Sequence, residues 1–271
     1  MSPYVIGLTG NIATGKSTIA RMLERLGAQV LDADQISRRV QRAGTDVHRS
    51  VVQRFGPGIV GADGEIDRAA LGSIVFADPR ALADLEALVH PAVIAETERW
   101  LAAVSAPIAV IEAIKLLEAG MGARCDTIWV VTSPADLQEQ RLQSTRGLDQ
   151  AQARARLAAQ PPQAGKVRLA DTVIDNSGTL EDAWRQVLHA WNDLPGIVKA
   201  PEDTPYVAPT ANTPRRPSRA ARWRSLALAL AMGLIVLLFS ANAGLSPLQR
   251  LWFTFLGMAL GLACSWMIGL E

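Results

Sequence analysis

The sequence predicts an α/β fold, in which a parallel β-sheet is flanked by helices, followed by an apolar C-terminal segment. Three observations predict it. Short apolar runs alternate with stretches whose apolar residues recur every three or four positions, as far as about Leu194. A glycine-rich loop follows the first run, and two uncharged apolar stretches close the chain. Such alternation is typical of parallel strands joined by crossover helices.

The strands are expected at five short segments of apolar and β-branched residues. These are residues 5–9, 29–31, 108–111, 128–131 and 172–174. The first helix is expected at residues 18–26, after the glycine-rich loop. In a parallel sheet the carboxyl ends of the strands face the ligand cleft, so residues that follow the strands are candidates for the functional site.

Composition narrows the class of protein. With 271 residues, 49% of them hydrophobic, the chain can bury one large core or two small ones. Its formal net charge of +1 offers no general positive field, so we expect no nucleic-acid partner. The 2 cysteines, Cys125 and Cys264, lie far apart, which fits a reducing compartment better than a disulfide framework. The first apolar run is too short for a secretory signal, so the body of the chain is expected in the cytoplasm.

A phosphate-binding loop is predicted directly after the first strand. Its residues are Gly10, Asn11, Ile12, Ala13, Thr14, Gly15, Lys16, Ser17 and Thr18, which fit the pattern G-x-x-x-x-G-K-[ST]. The glycines let the backbone wrap tightly and turn its N–H groups toward phosphate oxygens at the positive end of a helix. We therefore expect ATP here, with Lys16 on the β- and γ-phosphates and the Ser17 hydroxyl on Mg²⁺.

A carboxylate is predicted beside the terminal phosphate. The second strand is expected to end in Asp32-Ala33-Asp34, with Arg38 one turn later. If the strand continues through these residues, Asp32 and Asp34 lie on opposite faces, and only one of them is catalytic. Such a carboxylate can orient an attacking hydroxyl, accept its proton and help to hold Mg²⁺. Local sequence alone leaves solvated carboxylates in a turn as the alternative.

Further motifs lie in a specific order along residues 4–191. They are Gly7-Leu8-Thr9-Gly10, Asp32-Ala33-Asp34 with Arg38, Ile66-Asp67-Arg68 with Leu71, Val75-Phe76-Ala77-Asp78-Pro79, Leu88-Val89-His90-Pro91, Ala158-Ala159-Gln160, Lys166, and Ala170-Asp171 leading to Val173-Ile174-Asp175-Asn176-Ser177-Gly178. In these motifs the chain resembles the dephospho-CoA kinase family of P-loop kinases. The resemblance implies ATP-dependent phosphorylation of the ribose 3′-hydroxyl of dephospho-coenzyme A, giving coenzyme A and ADP.

The resemblance also implies roles for residues near the acceptor. It makes Asp34 the catalytic carboxylate and assigns Arg38, Arg68 and His90 to binding of the acceptor, with a helical substrate-binding insert at about residues 44–103. A guanidinium grips phosphate with two hydrogen bonds, which suits Arg68, although a surface role is the alternative. A histidine before a proline at a helix start is more often structural than chemical, so His90 is not expected to transfer a proton.

Residues 141–160 resemble the lid that closes over ATP in this family. The segment carries Arg141, Arg146, Arg154 and Arg156. Arg141, which the resemblance makes catalytic, and Arg156 match family positions. There they would neutralise charge on the transferred group and exclude water. The alternative is that both are solvated charges on the helix surface. Arg146 lies one position later than the family arginine, and a rotation of about 100° on a helix would turn it away from the phosphates.

Two other segments bear on the site. In the turn after the last strand, Asn176 would contact adenine or would serve only to form the turn. After the third strand the family usually has a Pro-Leu-Leu-aromatic-Glu run, where this chain has Lys115 in place of the proline, which leaves the alignment of Glu118 open by one residue. Glu112, directly after the strand, lies where a metal-assisting acid would be useful.

The C-terminal part predicts a membrane hairpin. A Pro-rich and then Arg-rich linker at residues 195–224 separates it from the kinase domain at residues 1–194. The apolar stretches 225–243 and 251–270 each approach the roughly 20 residues that a helix needs to cross a bilayer. Arginines before the first stretch place the catalytic domain on the cytoplasmic side. We expect the hairpin, residues 225–270, to anchor it in membrane lipid; buried core helices are the alternative.

Two other functions fit the same residues. The first is a kinase for another small nucleotide or nucleoside, because the choice of acceptor depends on the insert. The second is a membrane-tethered nucleotide sensor that binds ATP without useful catalysis. Acceptor-dependent release of ADP distinguishes both from the main hypothesis.

Overall fold

A five-stranded parallel β-sheet organises residues 2–206, the part of the chain that this computed structural model describes. The strands are β1 (Tyr4–Thr9), β2 (Gln29–Asp32), β3 (Ile108–Glu112), β4 (Thr127–Thr132) and β5 (Thr172–Asp175). Their order across the sheet is β2-β3-β1-β4-β5, and every neighbouring pair is parallel. The predicted parallel α/β sheet is therefore confirmed, and all five carboxyl ends lie at one edge.

Helices connect the strands. They are α1 (Lys16–Arg25), α2 (Ala33–Val40), α3 (Asp46–Phe55), α4 (Arg68–Ala77), α5 (Pro79–Ala103), α6 (Ala135–Arg146), α7 (Gln150–Ala158), α8 (Gln163–Val167) and α9 (Leu180–Asn192). Short 3₁₀ turns lie at Pro57–Ile59 and Met121–Arg124. Local sequence explains several helix starts: at α9, for example, Thr179 and Asp182 form a reciprocal capping box.

Alternation along the strands gives the sheet two apolar faces. On one face Ile6 and Leu8 of β1 pack with residues of α1 and α9 in a core that includes the fully buried Trp129. On the other face Val5 and Ile111 pack with residues of helices α2 to α5. The sheet is thus covered on both sides, which leaves its carboxyl edge as the place for a site.

Two local expectations were wrong. The second strand ends at Asp32 and does not continue to Asp34, because the Asp32 side chain accepts a hydrogen bond from the Gln35 backbone N–H at 2.9 Å and starts α2. His90 and Pro91 do not begin a helix; they lie in the middle of α5. Buried Val89 and Val93 on either side of Pro91 keep the helix packed against the core despite the missing hydrogen bond.

The folded unit extends to Tyr206, beyond the boundary expected at Leu194. The side chain of Asn192 bonds the backbone of Ala200 twice, at 2.8 and 2.9 Å, and the Trp184 indole N–H donates to the Thr204 carbonyl oxygen at 2.6 Å. Residues 195–206 therefore pack against the domain instead of forming the start of an extended linker. The rest of the predicted linker and the predicted hairpin at residues 225–270 lie outside the described residues. Among the helices of residues 2–206, none is long and apolar enough to cross a membrane.

Candidate active site

The phosphate-binding loop joins β1 to α1 at the carboxyl edge of the sheet. Ala13 and Gly15 both adopt left-handed backbone conformations, with φ of 59° and 94°. When left-handed residues alternate with right-handed ones, successive backbone N–H groups turn toward one side and form a concave anion-binding site, called a nest. No side chain caps the start of α1, so its first N–H groups are available to a phosphate at the positive end of the helix dipole.

Lys16 lies under this loop and is 7% exposed. Its Nζ donates to the carbonyl oxygen of Asn11 at 3.2 Å. Burial lowers the pKa of Lys16, while the nearby carboxylates of Glu112 and Asp34 act in the opposite direction. The structure thus brings the loop lysine together with two acids, one at the end of β3 and one at the start of α2.

Glu112, the last residue of β3, contacts the first turn of α1. It is 8% exposed and its Oε1 accepts a hydrogen bond from Ser17 Oγ at 2.9 Å. Burial raises the pKa of Glu112, and the Ser17 hydrogen bond and Lys16 lower it. A hydroxyl and a carboxylate in contact are the oxygen donors that Mg²⁺ prefers.

Asp34 projects from the first turn of α2, since the strand ends before it. Burial raises the pKa of Asp34, and Lys16, the backbone N–H of Ile114 and Arg38 oppose the shift. Asp34 lines a cavity together with His90, Lys115 and other residues of α2, α5 and the segment after β3. The carboxylate is therefore held beside the loop lysine and also faces open space, as an acid that receives a substrate must.

The side chains of Ser17 and Glu112 suit a magnesium ion that is also bound by the phosphates of a nucleotide. Within residues 2–206 no group of three or more His, Cys, Asp or Glu side chains could by itself hold a metal ion. Mg²⁺ usually takes only one or two protein oxygens and completes its shell with phosphates and water. Ser17 and Glu112 supply such oxygens next to the phosphate-binding loop.

Arg141 and Asn176 brace the loop from behind. Arg141 Nη1 donates to the carbonyl oxygens of Ala13 and Thr14 at 3.3 and 3.1 Å, and Nη2 donates to that of Asn176 at 2.9 Å. Asn176, 4% exposed, donates from Nδ2 to the Thr14 carbonyl oxygen at 2.8 Å. Burial lowers the pKa of Arg141. These contacts assign both residues to holding the loop; contact with the phosphates or with adenine stays a prediction.

The lid segment comprises the end of α6 and all of α7, and its far end is tied to the loop. The backbone N–H of Ile12 donates to Oε1 of Gln160 at 2.7 Å, and Asn11 Nδ2 donates to the Pro161 carbonyl oxygen at 3.1 Å. Sequence reasoning gave Gln160 no role, although it belongs to the Ala158-Ala159-Gln160 motif. The pairing joins residues about 150 positions apart, which no local pattern reveals.

The lid arginines differ in their surroundings. Arg154 pairs with Glu139 at 3.1 Å, and Arg156 is exposed on α7. Arg146 contributes to lowering the pKa of Lys16, and the expectation that it turns away from the phosphates stays a prediction. The rotation argument assumes a continuous helix, whereas α6 ends at Arg146 and Gly147 turns the chain with φ of 62°.

Arg38 and Arg68 come together on one cleft between α2 and α4. Arg42 and Phe76 line the same cleft. Sequence reasoning did not single out Arg42, and it quoted Phe76 only as part of a motif, without a role. Phe76 is 81% exposed, which is unusual for a phenylalanine. Arginines beside an apolar ring suit a ligand that carries both phosphate and an organic chain.

Lys166 is a further residue that the sequence analysis quoted in a motif without giving it a role. It lies on α8, is 5% exposed, and its Nζ is 2.8 Å from Oε1 of Glu118. Lys115, on the same segment as Glu118, pairs instead with Glu86 at 2.7 Å. The segment that follows β3 is therefore fixed by two separate ion pairs.

Comparison with known proteins identifies close relatives. A family model described as dephospho-CoA kinase matches residues 4–182. The chain is 48% identical over 190 residues to a dephospho-CoA kinase of Geobacter sulfurreducens, covering 69% of this chain and 96% of the relative. It is 47% identical over 190 residues to a dephospho-CoA kinase of Symbiobacterium thermophilum, covering 69% and 80%.

Solved structures agree with the sequence relatives. A crystal structure of a Thermus thermophilus protein superposes with a TM-score of 0.63 at 34% identity, covering 70% of this chain and 97% of that one. A dephospho-CoA kinase from Campylobacter jejuni superposes with a TM-score of 0.50 at 25% identity, covering 69% and 94%. The similarity in fold therefore agrees with the match to the family model.

Proposed function

The chain belongs to the dephospho-CoA kinase family, and from this premise we propose that it transfers the γ-phosphoryl group of ATP to the ribose 3′-hydroxyl of dephospho-coenzyme A. The products are coenzyme A and ADP, so the enzyme completes coenzyme A biosynthesis. One observation carries the mechanism: Asp34 lies within the electrostatic reach of Lys16 and also lines an open cavity. A carboxylate so placed can face the nucleotide and the acceptor at the same time.

ATP is held by the loop at residues 10–18. Its backbone N–H groups and the start of α1 receive the phosphates, and Lys16 neutralises their charge. Ser17, with Glu112 behind it, would hold Mg²⁺, which when bound neutralises charge on the phosphates. Arg141 and Asn176 keep the loop in its anion-binding conformation, and Asn176 also contacts the adenine of ATP.

The acceptor lies across the carboxyl edge of the sheet toward the helical insert. Asp34 orients the 3′-hydroxyl and accepts its proton as the oxygen attacks the γ-phosphorus and the bond to the ADP oxygen breaks. Arg38 and Arg68 grip the diphosphate of the acceptor, and their shared cleft supports that assignment. His90, inside α5 and on the wall of the Asp34 cavity, contacts the acceptor without transferring a proton.

The lid excludes water from the transfer. Arg141 and other arginines of the lid stabilise charge that spreads over the transferred group. Arg156, on the exposed face of α7, moves toward the nucleotide only when the lid closes. Exclusion of water favours transfer to the acceptor over hydrolysis.

The hairpin at residues 225–270 anchors this cytoplasmic kinase in membrane lipid. Two uncharged apolar stretches of near-spanning length and the preceding arginine cluster support the proposal. Cell fractionation of the full chain and of a variant that lacks residues 207–271 tests it. The full chain is expected in the membrane fraction and the shortened chain in the supernatant; equal distribution of the two would overturn the anchor.

A panel of acceptors tests the proposed function. The full chain is incubated with ATP, Mg²⁺ and, in turn, dephospho-coenzyme A, nucleosides and nucleoside monophosphates, and ADP release is followed while mass spectrometry locates the new phosphate. Dephospho-coenzyme A is expected to be phosphorylated at the 3′-position at least about a hundredfold faster than the others. A preference for another acceptor indicates a different small-molecule kinase, and no acceptor-dependent release indicates a nucleotide sensor.

A further inference from the structure

One face of α4 forms a wall of the cleft between α2 and α4. Its residues there are Arg68, Leu71, Gly72, Val75 and Phe76. Neighbours in this series recur at the spacing of a helix, so they share one face. Arg68 and Phe76 lie about 12 Å apart along the helix axis. The cleft has a volume of about 470 Å³, so it can take a ligand that is charged in one part and organic in another.

Three arginines on this cleft have no protein partner. Within residues 2–206, the side chains of Arg38, Arg42 and Arg68 form no ion pair and no hydrogen bond. Glu65, the acid in the lining, accepts a hydrogen bond from the backbone N–H of Ala43 at 3.1 Å. Unpaired guanidinium groups that converge on one cleft suit an anion, and each can bind phosphate through two hydrogen bonds.

The ring of Phe76 lies beside Gly72 and faces solvent. Phe76 is 81% exposed, whereas Leu71 and Val75 on the same wall are buried. The ring edge is 3.5 Å from the position that a Cβ atom would take at Gly72. A glycine inside a helix costs stability relative to alanine, and here its missing side chain leaves space next to an uncovered ring. Both features are explained if a ligand covers the ring.

The order of groups in the acceptor decides which part covers the ring. In dephospho-coenzyme A the ribose lies between the adenine and the diphosphate, and the pantetheine arm lies beyond the diphosphate. The ribose is expected at Asp34, which lines a separate cavity with His90 and Lys115. Arg38 follows Asp34 by one helical turn, about 6 Å, and lines the arginine cleft. The adenosine therefore occupies the Asp34 side, and the arm is the part that remains for the wall of α4.

We propose that this wall, with Phe76 as its main contact, binds the pantetheine arm and makes the kinase specific for acceptors that carry the arm. The inference rests on the proposed function, which places the diphosphate at Arg38 and Arg68. The dimethyl carbon of the arm packs on the ring, and its hydroxyl and amide groups face the polar rim. Phe76 contacts the acceptor away from the reacting atoms, so it contributes to binding and not to the chemical step.

Steady-state kinetics of Phe76→Ala in the full chain tests the proposal with two acceptors. One is dephospho-coenzyme A, and the other is ADP methylated on its β-phosphate, which keeps the nucleoside and the diphosphate but has no arm. KM for dephospho-coenzyme A is expected to rise at least about tenfold with kcat within about twofold, because ground state and transition state lose the same apolar contact. For methyl-ADP, kcat/KM is expected to stay within about twofold. Equal losses for the two acceptors overturn the proposal.

Ile74→Ala is the matched control for this substitution. Ile74 lies on the same helix and is 39% exposed, but it lies outside the lining of the cleft. Both acceptors are expected to keep their wild-type kcat and KM values in this variant. A rise in KM for dephospho-coenzyme A as large as that of Phe76→Ala would assign the effect to α4 in general and overturn the role of the ring.

Gly72→Ala separates a binding role from a structural one. The added methyl group meets the ring of Phe76 at an ordinary contact distance, and alanine favours the helix. The melting temperature is therefore expected to rise by about 2–4 °C. KM for dephospho-coenzyme A is nevertheless expected to rise at least about threefold, because the methyl group takes space that the arm needs. A raised melting temperature with an unchanged KM overturns the proposal.

Calorimetry without ATP gives a readout that needs no phosphoryl transfer. The wild type is expected to bind dephospho-coenzyme A at least about tenfold more tightly than Phe76→Ala, and both are expected to bind methyl-ADP equally. Equal binding of dephospho-coenzyme A, together with a smaller particle of the variant in gel filtration, assigns Phe76 to a contact between copies of the chain and overturns the proposal. If the wild type phosphorylates neither acceptor, the proposed function fails instead, and the binding comparison still decides the role of Phe76.

Discussion

Gly15 offers a sharp test of how the phosphate-binding loop is held. Its φ of +94° is in the left-handed region, and a Cβ atom at this position would overlap Nδ2 of Asn176. A Gly15→Ala substitution therefore has two effects. It forces an L-residue into a backbone conformation that it rarely adopts, and it pushes Asn176 away from the carbonyl oxygen of Thr14.

The structure gives the size of both effects. The left-handed conformation costs about 1–2 kcal/mol in a non-glycine residue. The displaced Asn176 amide is 4% exposed and loses a 2.8 Å hydrogen bond, and a buried polar group without a partner costs about 1–3 kcal/mol. We expect Gly15→Ala to lower the free energy of unfolding by about 2–5 kcal/mol. ATP binding should weaken at least about tenfold, because the N–H groups at the start of α1 move.

Gly27→Ala is the matched control for this substitution. Gly27 has a similar φ of +104° but nothing within 4 Å of the added Cβ. It should lose only the conformational part, about 1–2 kcal/mol, and keep wild-type affinity for ATP. Urea unfolding measures the stability of both variants and calorimetry measures their ATP binding. Equal stability losses together with unchanged ATP affinity would refute the close approach of Asn176 to the loop.

Three further predictions concern the acid, the lid and the C-terminal boundary. Burial raises the pKa of Asp34, and only the deprotonated carboxylate accepts a proton. We therefore expect kcat/KM for the acceptor to fall as the pH drops through a midpoint above the ordinary pKa of a carboxyl group. A pH–rate profile with its midpoint at or below that ordinary pKa would contradict the prediction. Gln160→Ala removes the hydrogen bond from Ile12, so ATP affinity should fall about twofold to tenfold and hydrolysis without acceptor should rise, as calorimetry and phosphate release measure. Asn192→Ala removes both bonds to Ala200, so limited proteolysis should cut within residues 195–206 faster than in wild type; equal rates would contradict the packing of that segment.

Local signals were sufficient for the sheet and the loop. A strand of β-branched residues, two glycines at fixed spacing and a following lysine restrict the backbone so tightly that the phosphate-binding loop needs no knowledge of distant residues. The end of β2 was harder, because Asp32 can continue a strand or cap a helix. Its side chain bonds to Gln35 decided between the two.

Contacts between distant residues could not be predicted in the same way. Lys166 reaches Ile114 and Gln160 reaches Ile12 only because the chain returns to the same sheet edge after many residues. At the C-terminal boundary, proline-rich composition predicted that a linker begins at residue 195. Trp184 nevertheless offers an indole N–H and a ring surface, and the backbone at Thr204 and the ring of Tyr206 cover them.

The central claim is that Asp34 orients the acceptor hydroxyl toward the last phosphorus of ATP. Replacing Asp34 by Asn keeps the shape of the side chain and removes its capacity to take up a proton. Turnover with dephospho-coenzyme A should fall at least about a hundredfold in the full chain, while calorimetry shows ATP binding close to that of the wild type. Turnover near the wild-type rate in that variant would contradict the mechanism.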